Sequence, residues 1–193
     1  MVDLNTLKQK LGDKSAIVGI VGLGYVGLPL SLRFSSCGFS VLGFDVDSAK
    51  TELLNEGQSY IDHIAGEMVS TAREQGFEAT TNFGRAADCD AIIICVPTPL
   101  NRQLEPDLSF VTGTLDMLAP HVRSGQVISL ESTTYPGTTR EEVVPRLEAA
   151  GLIVGDNVFV VYSPEREDPG NTSFTTHTIP KLVGGITTAC LEA

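Results

Sequence analysis

The stretch Ala16 to Gly27, AIVGIVGLGYVG, limits what this chain can fold into more than any other. Ala16-Ile17-Val18 and Ile20-Val21 form a nearly unbroken apolar run, the pattern of a strand buried on both faces of a parallel sheet. A glycine turn follows at once, with Gly22, Gly24 and Gly27 in the spacing G-x-G-x-x-G. The residues after it, Tyr25 to Cys37, read as a helix with Val26, Leu30 and Phe34 on one side. Strand, glycine turn and helix in this order make a dinucleotide-binding unit. Gly22 permits a tight turn, Gly24 has no side chain to hold a pyrophosphate off the main chain, and Gly27 lets the helix lie close on the strand. The first amides of the helix, around Tyr25 and Val26, then point at the phosphates.

Glycine supplies 19 of the 193 residues, so the spacing alone is a weak signal and its context has to carry it. The next apolar run, Phe39 to Phe44, ends in Asp45, 18 residues after Gly27. An acidic residue there accepts hydrogen bonds from the adenosine ribose hydroxyls and repels a 2'-phosphate, which favours NAD over NADP. Lys50 lies nearby and tempers that preference. Asp47 reads instead as the cap of a helix from Ser48 to Asn55.

The pattern continues in the same alternation. A loop at Gly57-Gln58-Ser59-Tyr60 leads to a predicted helix from about Asp62 to Gln75, with Ile64, Met68 and Ala72 in register, and then a short strand from Phe77 to Thr81. Asp90 to Val96 is a second buried strand. A helix from Leu108 to Leu118, a strand from Gln126 to Leu130, a helix ending at Ala150 and a strand from Val158 to Tyr162 complete the series. Thr138 with Glu141 gives the last helix a capping-box pattern, leaving Thr133 and Thr134 for other work. Strands alternating with helices predict an α/β fold: a Rossmann-like, doubly wound parallel sheet with helices on both faces. Residues 1–14 read as an amphipathic leader helix through Leu4, Leu7 and Leu11, and residues 15–193 as one NAD-binding domain.

Composition excludes several classes. Thirteen Lys plus Arg against 24 Asp plus Glu give a net charge of −11, which argues against a nucleic-acid or anionic-membrane partner. No stretch approaches the apolar length of a membrane span, and the N-terminus lacks a signal-peptide core, so the chain reads as cytoplasmic. Cys37, Cys89, Cys95 and Cys190 form no C-x-x-C pair and read as buried, reduced thiols. His63, His121 and His177 show no ligand spacing, and no metal is expected.

In open parallel sheets, ligands sit outside the carboxyl ends of the strands. The candidate loops are therefore Gly22 to Gly27, Asp45, the segment Val96-Pro97-Thr98 running on to Asn101, Glu131 to Gly137, and Ser163 to Asn171. Together they carry a resemblance. VGIVGLGYVGLPL, GFDVD, ICVPTPLN, ESTTYPGTT, YSPER with a later PG, and IPKLVGG resemble the successive signatures of the UDP-glucose/GDP-mannose dehydrogenase family, in order and over essentially the whole chain. Ser163-Pro164-Glu165-Arg166 with Pro169-Gly170 resembles the branch that acts on UDP-N-acetylhexosamines. The UDP-glucose branch has a second acid where this chain has Pro169.

The resemblance implies oxidation of a sugar C6 alcohol to the carboxylate with two NAD, through a cysteine-bound intermediate. It implies that Glu165 does acid–base work or positions water, that the Thr133 hydroxyl reaches the nicotinamide or that water, and that Thr98 faces the cofactor. For Thr98, a hydroxyl bonding its own backbone between two prolines is the competing reading. Arg166 reads equally as a substrate contact and as the partner of a neighbouring acid. The family's nucleophilic cysteine, catalytic lysine and asparagine motifs belong to downstream segments and have no counterpart here; Cys190 lacks their neighbours. The chain is thus expected to be the NAD-binding half of a longer, homodimeric enzyme, and by itself to bind NAD without turnover. Three alternatives stay open: a UDP-glucose or GDP-mannose 6-dehydrogenase within the same family, a 3-hydroxyacid dehydrogenase, which leaves YSPER and VPTPL unexplained, and a non-catalytic NAD-sensing or scaffold domain.

Overall fold

The computed structural model describes residues 4–164 and 181–193. In chain order the elements are α1 (Leu4–Gly12), β1 (Ile17–Val21), α2 (Gly27–Ser36), β2 (Ser40–Phe44), α3 (Ser48–Asn55), α4 (Gly66–Glu74), β3 (Phe77–Thr80), β4 (Ala91–Ile94), α5 (Ser109–Leu118), β5 (Gln126–Leu130), α6 (Val144–Ala149), β6 (Val158–Tyr162), β7 (Gly184–Gly185) and α7 (Thr188–Glu192). The apolar runs become strands because both of their faces are covered, and successive residues alternate between the two covers. In β4, Ile92 and Ile94 enter the core beneath α5, whereas Ile93 joins Val18, Ile20 and Leu28 in the core on the α2 side.

Seven strands pair in the order β3-β2-β1-β4-β5-β6-β7. All neighbours are parallel except β6 and β7, where Val161 and Tyr162 face Gly185 and Gly184 antiparallel. The chain winds outward from β1 through β2 to β3, then returns to start β4 on the other side of β1. The carboxyl ends of β1 and β4 therefore flank the point where the winding reverses, the place where such sheets open a crevice. The predicted doubly wound sheet is thus present, with the antiparallel two-residue β7 as an addition. No helix among the described residues is long and apolar enough to cross a membrane.

Helix α1 is packed rather than appended. Leu7 is fully buried against Phe159, Val161 and Cys190 beneath β6, and Lys10 reaches Asp90 at 2.8 Å.

Two local expectations are corrected. Met68 is exposed, and Val69 with Ala72 faces the core. The helix begins at Gly66 rather than at Asp62, so Ile64 is buried by the preceding turn and lies outside the helical stripe. Thr138 caps nothing: its Oγ1 donates to the Tyr135 carbonyl at 2.8 Å, and Glu141 accepts from the Tyr135 hydroxyl at 3.5 Å. Thr138 is already helical, because residues 139–143 wind as a wider turn in which the Val144 amide reaches back to the Thr139 carbonyl. Pro145 follows immediately and has no amide with which to continue a regular ladder back to Glu141.

Candidate functional site

The crevice at the reversal point is a cleft of about 720 Å³. Its walls come from the turn after β1, the end of β2, the loop after β4, one stripe of α5 and the end of β5. Gly22, Gly24, Tyr25, Val26, Asp45, Lys50, Val96, Pro97, Thr98 and Thr133, all singled out in the sequence, line this one space. Gly27 does not. It stands behind the turn, where an added Cβ would lie 1.8 Å from the Gly22 carbonyl oxygen. Glu165 lies outside the described residues, as do Arg166, Pro169-Gly170 and His177.

The glycines of the turn divide the work. Gly22 has φ of +89°, a conformation that strains any side chain, and a Cβ there would meet the Cys95 carbonyl oxygen at 3.0 Å. A Cβ on Gly24 would touch nothing within 4 Å, because that space is the cleft itself. Helix α2 then starts without a side-chain cap, so its amino end presents backbone donors and a positive dipole end toward the cleft. Bare backbone opening on a helix amino terminus fits a pyrophosphate.

Asp45, at the end of β2, is buried to 8% exposure. Its Oδ2 accepts the Leu23 amide at 3.0 Å and its Oδ1 accepts the Asp47 amide at 3.0 Å. Lys50 lies 3.8 Å from Oδ2. Each carboxylate oxygen offers two lone pairs, so these bonds leave acceptor capacity for ribose hydroxyls at the rim. Asp47 caps α3 by accepting the Ala49 amide at 3.0 Å.

At the other end, Ser132 ties two loops together. Its Oγ donates to the Val96 carbonyl at 2.6 Å, linking the segments after β4 and β5 into one wall. Glu131 is buried beside it and pairs with Lys181. Thr133 is exposed at the cleft edge. Helix α5 contributes Phe110, Gly113 and Met117 to the cleft, while Val111, Leu115 and Leu118 enter the core.

Several of these residues escaped sequence reasoning. Ser132 and Glu131 sit in a loop that was flagged, yet which side chain turns inward depends on the neighbouring strand. The α5 stripe looks like any amphipathic helix face. Gly113 was the one available signal, since a glycine inside a helix costs about 1 kcal/mol relative to alanine and wants a reason. Cys190 is fully buried, its sulfur accepting the Val160 amide at 3.2 Å. Among the described residues no cluster of His, Cys, Asp or Glu could hold a metal ion.

Residues 16–193 match the model of the UDP-glucose/GDP-mannose dehydrogenase family, NAD binding domain. Protein CapL of Staphylococcus aureus is 36% identical over 176 residues, spanning 91% of this chain and 41% of that protein. UDP-N-acetyl-D-glucosamine 6-dehydrogenase of Pseudomonas aeruginosa is 34% identical over 180 residues, 93% of this chain and 42% of the enzyme. Among solved structures, NDP-N-acetyl-D-galactosaminuronic acid dehydrogenase from Methanosarcina mazei superposes with a TM-score of 0.85 at 29% identity, over 98% of this chain and 42% of that one. The chain thus spans about two-fifths of the length of the curated relatives it matches.

Proposed function

The chain belongs to the UDP-glucose/GDP-mannose dehydrogenase family and carries its NAD-binding domain, and from that premise we propose that it is the cofactor half of an enzyme that oxidises the C6 alcohol of a UDP-N-acetylhexosamine to the uronic acid. NAD supplies the hydride acceptor, two being reduced per sugar. The observation that carries this reading is the cleft itself, where the open space over Gly24, the helix amino end and the Asp45 carboxylate meet at the reversal point of the sheet.

In this reading the bare backbone at Gly22, Gly24, Tyr25 and Val26 takes the pyrophosphate, with Gly27 supporting the turn from behind. Asp45 takes the adenosine ribose hydroxyls, and Lys50 moderates its charge. Val96, Pro97, Thr98 and Thr133 enclose the nicotinamide end. The Thr133 hydroxyl orients the nicotinamide amide or a water, and Glu165 serves as acid–base group or positions that water. The choice of an N-acetylated sugar is supported by Ser163-Pro164-Glu165-Arg166 with Pro169-Gly170, and by relatives that include a UDP-N-acetyl-D-glucosamine 6-dehydrogenase.

NADH formation by the native-length gene product against UDP-N-acetylglucosamine, UDP-N-acetylmannosamine, UDP-glucose and GDP-mannose tests the proposal. Two NADH per N-acetylated sugar is the expected result. Turnover of UDP-glucose or GDP-mannose alone would overturn the substrate assignment and keep the chemistry. No turnover of any of them would leave an NAD-binding module without this reaction.

A further inference from the structure

We propose that Tyr60 is a positioning residue for the NAD site, its hydroxyl holding the phosphate-facing turn in its bound shape from a distant loop. The proposal rests on the reading that the turn from Gly22 to Gly27 takes the pyrophosphate. Leu23 sits between the two glycines that give this turn its freedom, and it is gripped at three points. Its side chain is fully buried, packed on β2 closely enough that a Cβ on Gly43 would lie 2.8 Å from it. Its amide donates to Asp45 Oδ2 at 3.0 Å. Its carbonyl accepts the hydroxyl of Tyr60.

Tyr60 comes from the loop between α3 and α4, and that loop is itself tied down. Ser59 Oγ accepts the Ile61 amide at 3.1 Å, and Ser70 Oγ donates to the Gly57 carbonyl at 3.1 Å. The Lys50 ammonium lies 5.7 Å from the centroid of the Tyr60 ring and 3.8 Å from Asp45 Oδ2, so one cation braces both the ring and the carboxylate. Burial, and then the negative charges of Asp45 and Asp47, push the Tyr60 hydroxyl well above its ordinary pKa, and it remains a donor across the working range of pH. A turn bounded by glycines would otherwise lose conformational entropy on binding; fixing it beforehand removes that cost from the binding step.

Calorimetric titration of the chain with ADP-ribose and with adenosine tests this, comparing wild type, Tyr60→Phe and Gly24→Val. Phenylalanine keeps the ring and removes only the donor. The expected result for Tyr60→Phe is an ADP-ribose Kd raised about three- to tenfold, adenosine binding within about twofold of wild type, and faster amide exchange confined to residues 22–26. Unchanged ADP-ribose affinity in Tyr60→Phe, or equal loss for both ligands, overturns the proposal. So does a variant that exchanges throughout β1 as well, because the hydroxyl then serves the fold alone. Gly24→Val separates the two levels. If it leaves ADP-ribose binding intact, the site reading itself fails and the proposal falls with it. If it abolishes binding while Tyr60→Phe does nothing, only the role of Tyr60 is lost.

Discussion

The Asp45 carboxylate accepts the amide of Leu23 at 3.0 Å, so the acid at the end of β2 shapes the glycine turn after β1 as well as standing at the cleft rim. Its charge is the feature that would repel a 2'-phosphate, and Lys50 already lies 3.8 Å away. Asp45→Asn removes the charge, keeps the size and leaves Lys50 without its anion. NAD binding is expected to weaken as one acceptor becomes a donor, and the preference for NAD over NADP to narrow by about tenfold, or about 1.4 kcal/mol. Parallel titrations with the two dinucleotides check this; an unchanged ratio would show that Asp45 does not set the preference.

Gly27 and Gly113 are glycines for opposite reasons. A Cβ at Gly27 would lie 1.8 Å from the Gly22 carbonyl, backbone against backbone, so Gly27→Ala is expected to cost about 3 kcal/mol or more in a denaturant titration. A Cβ at Gly113 meets nothing within 4 Å and points to open space on the cleft-facing stripe of α5. Gly113→Ala should therefore stabilise the helix by up to about 1 kcal/mol. Gly113→Leu should fold as well but weaken NAD binding by at least about tenfold by filling the cleft. If Gly113→Leu binds NAD like wild type, α5 is not part of the site.

The elements that were legible in the sequence are those whose signal is local. Buried parallel strands announce themselves as continuous apolar runs, and β5 and β6 have the bounds that pattern gave them. Asp47 caps α3 as its position before Ser48 implied. The glycine turn combines its own spacing with the neighbouring strand. What stayed hidden depends on partners far away in the chain. Nothing near Tyr60 says that its hydroxyl meets Leu23, 37 residues away. Nothing near Ser132 says that Val96 lies across from it. Thr138 misled because its capping pattern was read without Pro145, which forces the wider turn. Strand β7, the pair Gly184-Gly185, has no side-chain alternation to read and exists only because β6 offers an edge.

The four cysteines should separate by labelling. Burial, followed by the charges of Asp88 and Asp90, pushes the Cys89 thiol up to about 12. Cys190 is also buried, whereas Cys37 and Cys95, expected from their apolar surroundings in the sequence to be buried, are partly accessible. Treatment of the native chain with N-ethylmaleimide, followed by peptide mass spectrometry, is expected to modify Cys37 and Cys95 and spare Cys89 and Cys190. Cys95 lines the cleft, so saturating NAD should slow its modification several-fold and leave Cys37 unaffected. Equal rates for Cys95 with and without NAD would place the cofactor elsewhere.

Asp90 joins α1, the start of β1 and the approach to β5. Its Oδ1 takes Lys10 at 2.8 Å and Arg123 at 2.9 Å, and its Oδ2 accepts the Ile17 amide at 3.1 Å. Burial by itself would raise its pKa, but the hydrogen bonds from Lys10, Arg123 and the Ile17 amide outweigh burial and hold it below the ordinary carboxylate value. A depressed folded-state pKa means that Asp90 contributes fully above its unfolded pKa of about 3.9 and loses that contribution as pH falls through the folded value. Asp90→Asn is therefore expected to cost about 1–3 kcal/mol at pH 7, at the lower end for a broken buried pair because Lys10 and Arg123 can turn to water. Urea titrations across pH should show the gap between wild type and variant constant from about pH 7 to 5 and shrinking below about pH 4, as wild-type Asp90 takes up its proton. A gap that stays constant down to pH 2.5 would mean that the carboxylate's charge contributes nothing and that its shape alone holds α1 to the sheet.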